Sequence, residues 1–179
     1  MLAWPHDMAL WILRQIVAVA VLPFTVTVLV PIWLARRNGI VAGAGTSPEA
    51  LLIQAGGLVL LAIGGLLFAA SLQRFISDGR GTLAPWDPPR QLVVSGPYRY
   101  VRNPMISGVI FVLFSEALLL LSWPHAGWAL IFLGLNAVHI PSIEEPMLAA
   151  KFGDSYREYC RHVPRLVPRV RPWESGRRT

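Results

Sequence analysis

Hydrophobic positions gather into four long blocks, and the polar stretches between them differ sharply in character. The first block covers residues 9–35, includes Pro23 and Pro31, and stops at Arg36 and Arg37. Crossing a bilayer core takes roughly 20 predominantly apolar residues, so this block predicts a span, and its prolines predict a kink rather than a break. The run is too long for a signal peptide, Arg14 interrupts it early, and no small-residue cleavage site follows, so it is expected to be retained. A polar, Gly-rich loop is predicted over residues 38–49. A second span follows over residues 51–76, where Gly56-Gly57 and Gly64-Gly65 predict close contact with another helix.

Between residues 77 and 104 the pattern changes. Turn residues crowd residues 78–90, which rules out a span there. Aromatic and apolar residues are interleaved through the stretch, which argues against disorder, and a loop of this length inside a compact domain predicts a functional one. The third and fourth blocks, residues 105–121 and 123–143, are joined by a turn over residues 122–127 and predict a helical hairpin that crosses and returns. The chain is expected to leave the bilayer at Ile143-Glu144-Glu145-Pro146, and residues 151–159 predict a short amphipathic helix in a basic tail. The expected fold is an all-α integral membrane protein of about four transmembrane helices, one domain over residues 1–179. It divides into an N-terminal helical hairpin, residues 1–76, and a second half, residues 77–179.

Composition sharpens this picture. The chain is 54% hydrophobic and 15% charged, against roughly 25% charged in soluble domains. The net charge is +6, and Lys151 is the sole lysine. The arginines flank apolar runs, a placement suited to anionic head groups rather than to nucleic acid. Four spans place the 77–104 loop and the tail on one side, and their arginines put that side in the cytoplasm; Arg36 and Arg37 then fall outside, against the rule. Cys160 is the only cysteine, so no disulfide or thiolate zinc cluster forms within the chain, and no His or Cys stands at metal-ligand spacing. Its Arg-rich surroundings would lower a thiol pKa, although an ordinary cysteine is the expectation.

Three groups of residues carry candidate chemistry. In the loop, Gly96-Pro97 makes a tight turn, Tyr98 and Tyr100 offer aromatic faces, and Arg99 and Arg102 offer planar forks for carboxylate or phosphate. Asn103-Pro104 then starts a helix, with Asn as N-cap and Pro as first residue. An aromatic and basic interface anchor is the alternative. The adjacent carboxylates Glu144 and Glu145 repel each other at a membrane exit and require partners, either a ligand or the loop arginines. Glu116, Asn136 and His139 are polar groups within the third and fourth spans, for which structural hydrogen bonding is expected over function.

The ordered series Leu92-Val93-Val94-Ser95-Gly96-Pro97-Tyr98, Arg102-Asn103-Pro104-Met105, Gly108, Glu144-Glu145, Leu148, Phe152-Gly153, Tyr156, Tyr159 and Val163-Pro164-Arg165 resembles the isoprenylcysteine carboxyl methyltransferase and phospholipid methyltransferase superfamily of membrane enzymes, from about Gly81 onward. The resemblance implies S-adenosyl-L-methionine as methyl donor, bound at the cytoplasmic membrane face. By position it assigns cofactor binding to Val94, Gly96, Pro97, Tyr98, Arg102, Asn103, Pro104, Glu144 and Glu145. The residue chemistry agrees: an arginine suits the methionine carboxylate, carboxylates suit the amino group or ribose hydroxyls, and aromatic faces suit a sulfonium. A carboxylate acceptor would be held by Arg99 or Arg165; a thiol or amine acceptor would need a base, for which Glu145 is the candidate. The eukaryotic prenylcysteine enzymes usually carry His at the positions of Arg90 and Asn103 and Tyr at that of Ile106. The Asn form belongs to the bacterial branch, which implies a bacterial inner membrane and does not support a prenylated protein substrate. Lipid-like carboxylates, small thiols and amino head groups all remain as acceptors. Two rivals stand beside this reading: an NADPH-dependent membrane reductase of related architecture, and a non-catalytic membrane protein.

Overall fold

The computed structural model describes residues 20–41, 45–79 and 91–174. Among the described residues every regular element is helical. A π-helical segment, Ala20–Leu29, runs into α1, Val30–Arg37; α2 is Pro48–Gly79, α3 is Pro104–Leu119 and α4 is Trp123–His139. A π turn, Ile140–Glu144, joins α4 to α5, Glu145–Phe152, and α6 follows as Asp154–His162. The first half of the predicted N-terminal span, including Arg14, lies outside the described residues, as do residues 80–90.

Among the described residues two helices are long and apolar enough to cross a membrane: α2, with 32 residues, and the continuous run Trp123–Phe152, with 30. The 16 residues of α3 make a helix of about 24 Å, shorter than the roughly 30 Å hydrocarbon core. The chain does not leave its helix at Glu144-Glu145. Pro141 removes one N–H, the helix widens into the π turn, in which the Glu145 N–H reaches the Ile140 carbonyl, and it then continues to Phe152. Trp123-Pro124 likewise starts α4, because Pro fits the first turn of a helix and Ser122 caps it by accepting from the His125 N–H.

The glycine pairs of α2 are split by the helix surface. Gly57 lies against Leu118 and Leu119, and Gly64 crosses Gly108 so closely that a methyl group on Gly64 would sit 2.8 Å from the Gly108 carbonyl oxygen. Gly56 and Gly65 face open space. The expected close packing is thus made by one glycine of each pair, against α3. Beside this crossing Val109, Leu113 and Ala129 form a core with Val26, Phe68, Phe114, Trp128 and Phe132 around them.

Among the described residues the N-terminal segment stays helical from Ala20 to Arg37 across Pro23 and Pro31, and α4 bonds to it around Pro31. Pro31 has no N–H to offer the Val26 carbonyl five residues earlier in the π register, and the Trp128 indole donates to that carbonyl at 3.0 Å. His125, 1% exposed, bridges Ser122 at 2.7 Å and the Pro31 carbonyl at 3.1 Å. Trp128→Phe keeps an aromatic side chain and removes the indole N–H from the Val26 carbonyl. We expect a loss of about 1 kcal/mol, in line with interhelical bonds in membranes, read as a lowered thermal midpoint in detergent; an unchanged midpoint would show that the bond contributes nothing.

Candidate active site

The site is assembled by three pieces of chain that meet at the N-terminal end of α3. The first is the loop from Gln91 to Asn103. Ser95 donates to the Asp78 carboxylate at the end of α2, and Gly96, at φ +54, packs so tightly on Arg74 that a Cβ would lie 3.0 Å from the arginine Cγ. A left-handed backbone against a neighbouring side chain is where glycine is required. The chain then makes a 3-10 turn, Gly96–Arg99, with the Pro97 carbonyl accepting from the Tyr100 and Val101 amides. Asn103 and Pro104 start α3 as expected, but Asn103 makes no side-chain cap; its carbonyl accepts from Ser107 instead.

The second piece is the tail after α6, which runs beside the loop. Backbone bonds join Arg102 N–H to Pro164 O at 2.8 Å, Asn103 N–H to Arg165 O at 3.3 Å, Arg169 N–H to Tyr100 O at 3.0 Å and Trp173 N–H to Arg99 O at 2.9 Å. Below this strap Tyr156, Tyr159 and Val163 are buried together, with Leu92, Val94, Leu148, Phe152, Cys160 and Trp173 packed on them. The amphipathic helix predicted at residues 151–159 is α6, displaced to Asp154–His162 because Gly153, at φ +58, ends α5.

The third piece is the Glu144-Glu145 pair. Glu145 accepts from Arg165 Nε at 2.6 Å and Nη2 at 2.9 Å, and Arg102 Nη1 stands 3.0 Å from its Oε1. Arg102 Nη1 also lies 2.8 Å from Cys160 Sγ. A carboxylate held by two guanidinium groups is stabilised as the anion and is a poor proton acceptor, which weighs against Glu145 as a base. The pairing raises Arg165 above its ordinary range, so the cluster stays charged at neutral pH. Glu144 makes no hydrogen bond or ion pair of this kind among the described residues; its charge acts on Tyr98.

Three phenols line the cluster. Tyr98, Tyr156 and Tyr159 are each raised well above the ordinary tyrosine range, in every case chiefly by burial, so all remain protonated donors. The Tyr159 hydroxyl donates to the Tyr98 carbonyl at 2.7 Å. The hydroxyl of Tyr98, a residue with 7% exposure, has no hydrogen-bond partner among the described residues, and neither has Arg102 Nε; both atoms are buried. Buried polar atoms without partners are rare, and each asks for an explanation.

Arg102, Glu145 and Arg165 are therefore brought together; Tyr98 is tied to Tyr159 through its carbonyl and feels the Glu144 charge, Val94, Gly96, Pro97 and Asn103 belong to the same loop, and Pro104 opens α3. Arg99 is not part of this cluster. Its Nε donates to the Trp173 carbonyl at 2.8 Å and its Nη2 pairs with Glu174 at 3.4 Å. Arg90 lies outside the described residues. Of the span residues, Asn136 bonds its own helix at Phe132, His139 is exposed, and one oxygen of Glu116 is buried without a partner. Cys160 was given no role by its place in the sequence, and only the folded tail reveals its contact with Arg102.

Residues 52–155 match the family model of the phospholipid methyltransferases. The chain belongs to that family. The match takes in more than half of the chain, begins within α2 and ends one residue before Tyr156. The resemblance traced from about Gly81 therefore extends further toward the N-terminus in this phospholipid methyltransferase homologue, while the strap with Arg165 lies beyond the matched region. No curated protein and no solved structure matches the chain. Membership, together with the two apolar helices, makes this a membrane protein of a methyltransferase family.

Proposed function

We propose that the protein is an S-adenosylmethionine-dependent methyltransferase acting at the membrane on a lipophilic or small acceptor. The observation that carries this reading is the pair of buried, unpartnered donors, Tyr98 Oη and Arg102 Nε, beside the Glu144-Glu145 pair in a chain of this family. Two donors next to two carboxylates fit a zwitterionic amino-acid moiety, whose carboxylate needs N–H and O–H donors and whose ammonium needs an anion.

S-adenosylmethionine would supply an electrophilic methyl group on a sulfonium. Tyr98 and Arg102 would take its carboxylate, and Glu144, which the arginines leave free, would take its amino group or ribose hydroxyls. Glu145 and Arg165 then act as positioning residues: they fix the Arg102 guanidinium by its Nη1 edge and leave Nε for the ligand. The Tyr156-Tyr159-Val163 cluster and the strap keep water from the site, so catalysis rests on holding nucleophile and methyl in line rather than on a base. Four crossings are proposed: the N-terminal segment continuing through α1, then α2, α3 and α4. The loop and strap would face the cytoplasm of a bacterial inner membrane, and the acceptor would reach the site from the bilayer side.

Tyr98→Phe tests the assignment. The hydroxyl bonds nothing among the described residues, so its removal should leave the thermal midpoint unchanged or slightly raised. A donor lost to a charged group costs about 1.5–3 kcal/mol, so S-adenosylhomocysteine affinity measured by titration should fall at least about tenfold. Unchanged affinity would take the hydroxyl out of the site.

A further inference from the structure

The strap after α6 has an outer surface that the methyltransferase reading does not use. Between residues 161 and 173 the chain has four arginines and no acidic residue. Pro164, Pro168 and Pro172 remove N–H donors at regular intervals and keep the segment out of regular structure. Its level relative to the bilayer follows from α3. Leu166 O accepts from the Ser107 hydroxyl at 3.5 Å, and Ser107 is in the first turn of that helix, about 4–5 Å along the axis from Pro104. Residues 166–170 thus lie beside the N-terminal end of α3, which the proposed four-crossing arrangement puts where hydrocarbon gives way to head groups.

At that level Val167 is 77% exposed and Val170 is 96% exposed. Neither is in a span, and bare valines outside the apolar belt gain nothing from water. Arg171 is exposed beside them, and Arg169 is anchored through Nη1 to the His162 carbonyl at 2.6 Å. Apolar side chains interleaved with arginines at the head-group level are the chemistry of an interfacial anchor.

We infer that residues 166–171 dock on the anionic head groups of the bilayer, with Val167 and Val170 entering the acyl boundary and Arg169 and Arg171 pairing with lipid phosphates. The same segment continues into Arg165, so lipid contact steadies the arginine that holds Glu145. The inference requires the chain to sit in a membrane and does not require it to transfer methyl groups.

The test uses the full chain in nanodiscs of phosphatidylcholine alone or mixed with phosphatidylglycerol. A nitroxide is placed at Val170→Cys in a Cys160→Ser background, and a second at Arg157→Cys on α6 serves as the aqueous reference. Collision with oxygen reports lipid, and collision with a water-soluble nickel chelate reports water. The Val170 label should be shielded from nickel relative to the Arg157 label, and more so in the anionic discs. An arginine at an anionic surface shifts partitioning about five-fold, so Arg171→Gln should abolish much of the anionic increment. Equal nickel exposure at the two positions would overturn the anchor. Shielding that is the same in both lipids and insensitive to Arg171→Gln would overturn the recognition of anionic head groups.

Discussion

Glu145→Gln should weaken S-adenosylhomocysteine binding by about 50-fold, while the protein still inserts and folds. Glu145 is 17% exposed and stands between Arg102, 12% exposed, and Arg165, 38% exposed. A neutral amide cannot take two guanidinium groups, and the arginines would then repel each other across an uncompensated gap. Removing one partner of a fully buried pair costs about 3–5 kcal/mol. The exposure of Arg165 lowers this, since solvent screens the outer contact, and about 2–3 kcal/mol is expected here. Much of that loss should fall on ligand binding, because Arg102 Nε is aimed by the contacts at Nη1. A second readout separates positioning from general misfolding: the strap, no longer fastened at Arg165, should become more sensitive to protease beyond Val163, while the helical circular dichroism signal of the protein is kept. Affinity equal to the wild type would remove Glu145 from the site.

Gly64→Val should prevent proper packing of α2 on α3, whereas Gly65→Val should be tolerated. At Gly64 the first added carbon meets backbone, the Gly108 carbonyl at 2.8 Å and the Val112 nitrogen at 3.0 Å. No side-chain rotation relieves such contacts, so the helices must separate and lose the packing that holds membrane helices together. Overpacking typically costs 1–3 kcal/mol and occasionally more; with backbone on both sides of the crossing, about 3 kcal/mol is expected. Gly65 has nothing within 4 Å of the added carbon, and a valine there meets the surrounding lipid or solvent. The comparison is made on monodisperse yield and thermal midpoint in one detergent. Equal behaviour of the two variants would contradict the crossing.

The same glycines show where a sequence is legible. The pairs announced a close helix contact, but a pair of adjacent residues points in two directions, and only the fold selects Gly57 and Gly64. Asn103-Pro104 is readable as a helix start because proline at the first position is a local rule; the Asn103 carbonyl accepts the first bond of the helix, from Ser107, while its side chain makes no cap. Trp123, Pro124 and Gly127 looked like a turn, since Pro and Gly break helices in isolation, yet Pro in a first turn begins one. His125 was hidden inside that misread segment. The two π segments have no periodic signature, so the continuation of the helix past Glu144-Glu145 to Phe152 is not legible in the sequence.

The candidate site divides in the same way. Tyr98, Arg102, Glu145 and Arg165 are identifiable by order and spacing, and Arg102, Glu145 and Arg165 meet. Arg99 carried the same chemistry as Arg102 in the same loop, but its partners, Trp173 and Glu174, lie more than seventy residues further on. The strap has neither helical nor strand periodicity, and its backbone bonds to the loop arise only when both are in place. Its backbone bonds to the loop, like the contact of Cys160 on α6 with Arg102, are beyond the reach of pattern.

The central claim is that the chain binds S-adenosylmethionine at the Tyr98, Arg102 and Glu144-Glu145 cluster. It is tested most directly by calorimetric titration of the wild-type protein in nanodiscs with S-adenosylhomocysteine, with NADPH as the control. One saturable site for S-adenosylhomocysteine and no heat with NADPH is the predicted result. Saturable NADPH binding, or no binding of S-adenosylhomocysteine by a monodisperse, cooperatively unfolding sample, would contradict it.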